Sequence, residues 1–251
     1  MIIERLARLG YASIGIVYMI VGGLAAAAGM GKRGQAGSQK DAFALILDQP
    51  FGRVLLIAVA IGLGGYVLWR FTSAVMDDEH RGNDAKGIGI RLASFGRGAI
   101  YAGLAIEAVR MAMRRGSSGG SGEEQTQHWT GRLMDAPFGR ILLALAGLGV
   151  VAYGAYQLYA AWDAKLSKRI RLGEVDPRVI TISRFGIGAR GIVFFVIGGS
   201  LVLAAVRHNA NNAHSTSGAL QQLPPPMLAV VGVGLVAYGV YALVNAKYRR
   251  M

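Results

Sequence analysis

An all-helical integral membrane protein, a bundle of six spanning helices, is the fold class this sequence predicts, and three observations predict it. Of 251 residues, 53% are hydrophobic and only 16% charged, where a soluble domain carries about 25% charge. The apolar residues gather into six runs, each near the roughly 20 residues that cross a hydrocarbon core at helical rise. One arrangement, an Arg followed after seven residues by a Gly and after three more by a ring, occurs three times: Arg8, Gly15, Tyr18; Arg91, Gly98, Tyr101; Arg184, Gly191, Phe194. Recurrence of this kind marks an internal repeat.

The first run, Leu9 to Met30, ends in alanines and superficially resembles a signal peptide. Later runs carry the same signature where no cleaved signal can sit, so it is retained as a span. Ser38 and Asp41 have the spacing of a capping box and predict a short helix, Gln39 to Leu47, too short to cross and expected at the interface. Asp48-Gln-Pro-Phe-Gly-Arg53 then turns the chain, with Pro50 marking the start of the second run, Val54 to Val75. The third run is Phe95 to Met113. Nearly the same turn, Asp135-Ala-Pro-Phe-Gly-Arg140, precedes the fourth, Ile141 to Trp162. The fifth, Ile187 to Val206, is followed by Gln221-Gln-Leu-Pro-Pro-Pro226, which keeps the proline break and loses Phe-Gly-Arg, and then by the sixth, Met227 to Ala246.

A second pattern lies in the even runs: Gly62, Tyr66, Trp69; Gly149, Tyr153, Tyr156; Gly234, Tyr238, Tyr241. Offsets of four and seven place each set on one helical face. In the odd runs Gly15 with Gly22, Gly98 with Ala105 and Gly191 with Gly198 also share a face. Small residues let membrane helices approach through dispersion where no hydrophobic force acts between them. The expected role of all these residues is therefore packing, with the ring of an even helix filling the groove of an odd one. The repeats divide the chain at 1–80, 81–172 and 173–251, two spans each.

Two spans per repeat put both termini on one side. Assigning each cation to the nearer end of its span places 17 of the 27 Lys and Arg there, which by the positive-inside rule is the cytoplasm. Trp69 and Trp162 fall at the inner boundary and Trp129 near the outer, where an aromatic belt is expected. The run Lys165 to Arg171 holds four cations and suits anionic lipid headgroups. With no recognition module, nucleic acid is not an expected partner despite the net charge of +13.

Few residues point to chemistry. There is no Cys, which excludes disulfides and thiolate sites. Gly29-Met-Gly-Lys-Arg-Gly34 matches a dinucleotide fingerprint but follows a membrane helix where the motif needs a strand. Gly116-Ser-Ser-Gly-Gly120 matches a nucleophile elbow but sits in a Gly/Ser run with no rigid turn. His80, His128, His208 and His214 fall in expected loops, read as solvated, with no metal-binding pair. No cofactor, metal or catalytic residue is expected. The candidate polar residues are Glu107 with Arg110 one turn on, an intramembrane pair or part of a pathway, and Arg97 and Arg190, equivalent positions expected to snorkel to the inner headgroups or to face a cavity. Gln157 and Asn245 are expected as polar glue between helices.

With the Arg, Gly and ring signature in three odd helices, and Pro-Phe-Gly-Arg followed by the Gly-Tyr pair in the even ones, residues 5–246 resemble the bacterial membrane family called domain of unknown function 1206. The resemblance implies three tandem two-helix units in one bilayer-embedded protein of the bacterial inner membrane, and brings no activity with it. The expected function is that of an accessory or scaffold protein, not an enzyme, related by a pseudo-threefold axis along the membrane normal. The alternative is a small-solute or ion pathway along that axis. Expected partners are lipid headgroups and a membrane protein or second copy.

Overall fold

The computed structural model describes residues 2–31, 36–76, 85–113, 122–162 and 177–248. Among these residues the regular structure is helical: α1 (Ile2–Gly29), α2 (Gln39–Leu47), α3 (Gly52–Met76), α4 (Ala85–Met113), α5 (Gly122–Asp135), α6 (Gly139–Trp162), α7 (Pro177–Arg207), α8 (Thr216–Gln221) and α9 (Pro225–Tyr248). The order long, short, long recurs three times. Five helices are long and apolar enough to cross a bilayer, over Ala7–Gly29, Gly52–Val75, Gly139–Trp162, Arg178–Arg207 and Pro225–Lys247. The third expected span, α4, is not among them: it has 29 residues but carries Arg97, Glu107 and Arg110 along its length.

Local chemistry explains the boundaries. At the start of α2 the Ser38 N–H donates to Asp41 Oδ2 at 2.6 Å and the Asp41 N–H to Ser38 Oγ at 3.4 Å, the reciprocal capping the spacing predicts. The helix packs on the protein through Ala42 and Phe43, both fully buried, and leaves Leu45 exposed. In the repeated turns the phenylalanine takes a left-handed backbone, φ 62° at Phe51 and 60° at Phe138. The next residue must be Gly, because a Cβ on Gly52 would collide with the carbonyl oxygens of Ile46 and Leu47, and one on Gly139 with that of Leu133. Helix α7 ends with His208 at φ 54° and the Asn209 N–H donating to the Ala204 carbonyl at 3.1 Å, the six-to-one bond of a Schellman end. Helix α5 was expected as loop. Its low hydropathy hid a segment with Glu123 and Glu124 in the first turn and Arg132 in the last, charges placed to suit the helix dipole.

The chain forms two compact units, one of residues 1–16, 43–117 and 242–251, the other of residues 17–42 and 118–241. Boundaries fall inside α1, α2 and α9, so these units are not the sequence repeats. In the first unit α3 packs on α4, where a Cβ on Gly98 would lie 2.8 Å from the Phe71 ring, and the start of α1 meets α3, where a Cβ on Gly10 would lie 2.5 Å from Tyr66 Cβ. In the second, α6 and α7 touch backbone to backbone: a Cβ on Gly191 would stand 3.0 Å from the Gly154 carbonyl oxygen, and one on Gly198 2.5 Å from the Val151 nitrogen. The end of α1 meets α9 the same way: a Cβ on Gly22 would stand 2.6 Å from the Gly232 carbonyl oxygen. Outside these seams, Met134, Leu143, Ala204, Ala205 and Ala213 form a further apolar cluster in the second unit.

Candidate functional site

The triplicated rings meet in one pattern. Tyr66 of α3 packs edge-on against Tyr101 of α4 at 4.9 Å between centroids, Tyr153 of α6 against Phe194 of α7 at 5.4 Å, and Tyr238 of α9 against Tyr18 of α1 at 4.8 Å. Each pair joins the even helix of one repeat to an odd helix of another, in the T-shaped geometry that aromatic quadrupoles favour. Gly15, Gly98 and Gly191 are buried. Gly62 and Gly234 face the side chains of Ser13 and Ala189 respectively. Gly149 departs from the packing expectation: it is exposed, with nothing within 4 Å of its Cβ position. The reason is the orientation of α6, whose close contacts are made by Gly147 and Gly154 instead.

Two of the three boundary arginines of the signature, Arg91 and Arg184, cap helices. Arg91 donates from Nε to the Ala74 carbonyl at 2.7 Å and from Nη2 to that of Val75 at 3.0 Å, at the end of α3. Arg184 donates from Nε to the Ala161 carbonyl at 2.7 Å and from Nη2 to that of Trp162, at the end of α6. The last four carbonyls of a helix lack intrahelical donors, and in a bilayer each orphan is costly. A planar cation at a helix C-terminus satisfies two of them and meets the negative end of the dipole. Arg140, from the second turn motif, reaches the Ala205 carbonyl near the end of α7 at 3.3 Å.

Two further guanidinium groups are buried among rings. In the first unit Arg70 donates to Tyr66 Oη at 2.8 Å and to Tyr11 Oη at 3.4 Å, and lies 4.4 Å from the centre of the Trp69 ring. Trp69 is therefore buried against Tyr11 and Tyr66, not part of a boundary belt, whereas Trp129 and Trp162 are exposed as expected. In the second unit Arg190 is 6% exposed, which replaces the snorkelling expected of it. Its Nε donates to Tyr18 Oη at 3.0 Å, and its Nη1 to Tyr238 Oη at 2.9 Å and to Gln157 Oε1 at 3.4 Å. Tyr18, Tyr238 and Phe194 supply ring faces within 4.6 to 5.3 Å, a cation–π enclosure. Gln157 bridges helices, as its type and depth suggested. Arg97 and Glu107 are half-buried and Arg110 exposed, all on α4 in the first unit, so three of the four candidate polar residues lie in one unit and Arg190 in the other.

A third polar cluster joins α5 to the segment before α8. Glu123 Oε1 lies 2.6 Å from His214 Nδ1, and Glu123 Oε2 accepts from the Ser215 N–H at 2.8 Å. The carboxylate rests against Gly218, where any Cβ would strike it. Burial works to raise the Glu123 pKa, but the hydrogen bonds from His214 and Ser215 outweigh it and hold the group below its ordinary value. His214, expected as a solvated loop residue, is only about a quarter exposed. The Lys165 to Arg171 run, Gly116 to Gly120, the fingerprint glycine Gly34 and His80 lie outside the described residues. Among the described residues no group of three or more His, Asp or Glu could hold a metal ion.

Arg70, the Arg91 and Arg184 caps and the Glu123 and His214 pair were not singled out from sequence. One signal was available: Arg70 and Gln157 stand four residues after Tyr66 and Tyr153, on the ring-bearing face.

A family model described as Domain of Unknown Function (DUF1206) matches residues 9–77, 92–164 and 185–249. The chain is 32% identical over 258 residues to an uncharacterized protein, YxxB, of Bacillus subtilis (strain 168), covering 99% of this chain and 92% of that one. No solved structure matches.

Proposed function

The chain belongs to the domain of unknown function 1206 family, and from that premise we propose that it is a multi-pass accessory or scaffold protein of the bacterial inner membrane. In this reading α4 is the sixth span, both termini are cytoplasmic, and the three two-helix units are arranged about an axis along the membrane normal. The observation that carries it is the ring pair made three times, Tyr66 with Tyr101, Tyr153 with Phe194 and Tyr238 with Tyr18. Residues repeated at each helix seam hold helices together, and a surface so maintained serves lipid headgroups and a membrane-protein partner or second copy. Recurrent chemistry of the reacting kind, a nucleophile beside a base, is not what recurs.

Thermal unfolding in detergent tests the packing role. Gly98→Leu and Gly191→Leu are expected to lower the melting temperature by many degrees, since overpacking a close seam costs about 1–3 kcal/mol or more; tolerance of both would remove the basis of the proposal. A second reading, a pathway for a small solute or ion, is favoured by the burial of Arg190 within a span. Flux into proteoliposomes by wild type against Glu107→Gln separates the two: flux that the variant loses supports the pathway.

A further inference from the structure

We propose that a groove bounded by α6, α7 and α9 holds one anionic phospholipid, with its phosphodiester on Arg184 and one acyl chain lying between the helices. The groove has a volume of about 420 Å³, and apart from Thr181, Arg184 and the Trp162 indole its lining is apolar. It is open because α7 presents no side chain at Gly188, where a Cβ would meet only Ala161 Cβ at 3.5 Å, an ordinary contact. Along α7 the lining runs from Thr181 to Ile192, about 16 Å at helical rise and so about half of a ~30 Å hydrocarbon core. That is the reach of a lipid tail in one leaflet. Spread over this length, the volume makes a channel narrower than the roughly 10–12 Å of a helix with its side chains, which suits a tail and not a partner helix.

The end of the groove carries the headgroup chemistry. Arg184 gives Nε and Nη2 to the carbonyls that end α6, and its Nη1 makes no hydrogen bond among the described residues. A permanently charged fork, already held by two bonds and with one donor edge left over, is preorganised for a phosphate oxygen. Exposed Trp162 stands beside it at the end of the span, the level at which tryptophan meets headgroups. Helices α6, α7 and α9 contain neither Asp nor Glu, so they offer no carboxylate to the ammonium of a zwitterionic headgroup and favour a net negative one. The proposal rests on the membrane residence in the reading above and not on the scaffold role.

The experiment uses the full chain, delipidated in maltoside detergent, and counts bound lipid by native mass spectrometry. One palmitoyl-oleoyl phosphatidylglycerol is expected to bind about fivefold more tightly than the phosphatidylcholine with the same tails, and inorganic phosphate, lacking a tail, is expected not to displace it. Gly188→Leu fills the groove without crowding backbone, so it is expected to melt near wild type in lipid-free detergent and to lose the tight site. Arg184→Gln is expected to bind the two lipids equally; should it fail to fold, the lipid pair and Gly188→Leu still decide. Equal affinity of wild type for both lipids, displacement by phosphate, undiminished phosphatidylglycerol binding in Gly188→Leu, or a dimer that Gly188→Leu dissolves would overturn the proposal, the last by assigning the groove to a second copy. Recovery of the chain outside the membrane fraction would sink the membrane reading itself, whereas a membrane-bound chain with no lipid preference would sink this proposal alone.

Discussion

Arg184 on α7 donates from Nε to the carbonyl oxygen of Ala161, on the last turn of α6, at 2.7 Å. One side chain thereby closes the end of another helix, and Arg91 repeats the arrangement on Ala74 of α3 at the same distance. A residue that in sequence was only the boundary Arg of a repeat signature is a cap supplied by a neighbouring helix.

Arg184→Ala is accordingly expected to destabilise the protein by about 2–3 kcal/mol, the scale of losing hydrogen bonds from a charged donor and leaving carbonyls unmet. Arg184→Lys should recover only part, since an ammonium lacks the fork that meets two oxygens. Unfolding in detergent with a chemical denaturant measures both.

The seam between α6 and α7 and the open face of α6 make a matched pair of tests. Gly198→Ala would bring a methyl group 2.5 Å from the Val151 backbone nitrogen, and backbone cannot step aside cheaply; a loss of about 1–3 kcal/mol is expected. Gly149→Ala meets nothing within 4 Å and should gain about 0.5–1 kcal/mol from helix propensity. Equal effects from the two would contradict the described orientation of α6.

The Glu123 carboxylate sets an acid limit on stability. Because its folded pKa lies below the ordinary 4.5, its contribution is present in full above that value and is lost as the pH falls through the folded pKa. Melting temperature against pH should drop below about 4.5 in wild type. Glu123→Gln should start lower at neutral pH and show a shallower decline, with the two curves converging in acid.

At Phe138 the backbone sits at φ 60°, a region bulky side chains disfavour and Asn tolerates. Phe138→Asn is expected to leave stability unchanged or raise it by up to about 1 kcal/mol in detergent. A large loss there would mean that the exposed ring has a packing role the geometry does not reveal.

Much of the fold was legible because its causes are local. Helix α2 runs from Gln39 to Leu47 as the Ser38 and Asp41 spacing predicted, and the apolar runs became α1, α3, α6, α7 and α9. The short helix α5 was not, since its signal is charge placement at the two ends and no apolar run announces it. Arg190 was misread because sequence shows that a cation lies inside a span but not that two phenols on other helices turn toward it. The Glu123 and His214 contact spans 91 residues, and neither residue stands in a repeated position. Gly149 carries the same motif as Gly62 and Gly234, yet identical words on α6 face outward; a one-dimensional pattern fixes which residues share a face, not where that face points.

The bond between Arg190 and Tyr18 joins residues 172 apart in the chain. During synthesis the first helix leaves the ribosome long before its ring's partner on α7 exists. Until α7 and α9 follow, the Tyr18 hydroxyl has neither the Arg190 guanidinium to accept from nor the Tyr238 ring to pack on. A chain stopped before α7 would keep the seam between the start of α1 and α3, where Gly10 faces Tyr66, and lose the late-arriving partners of the second half of α1.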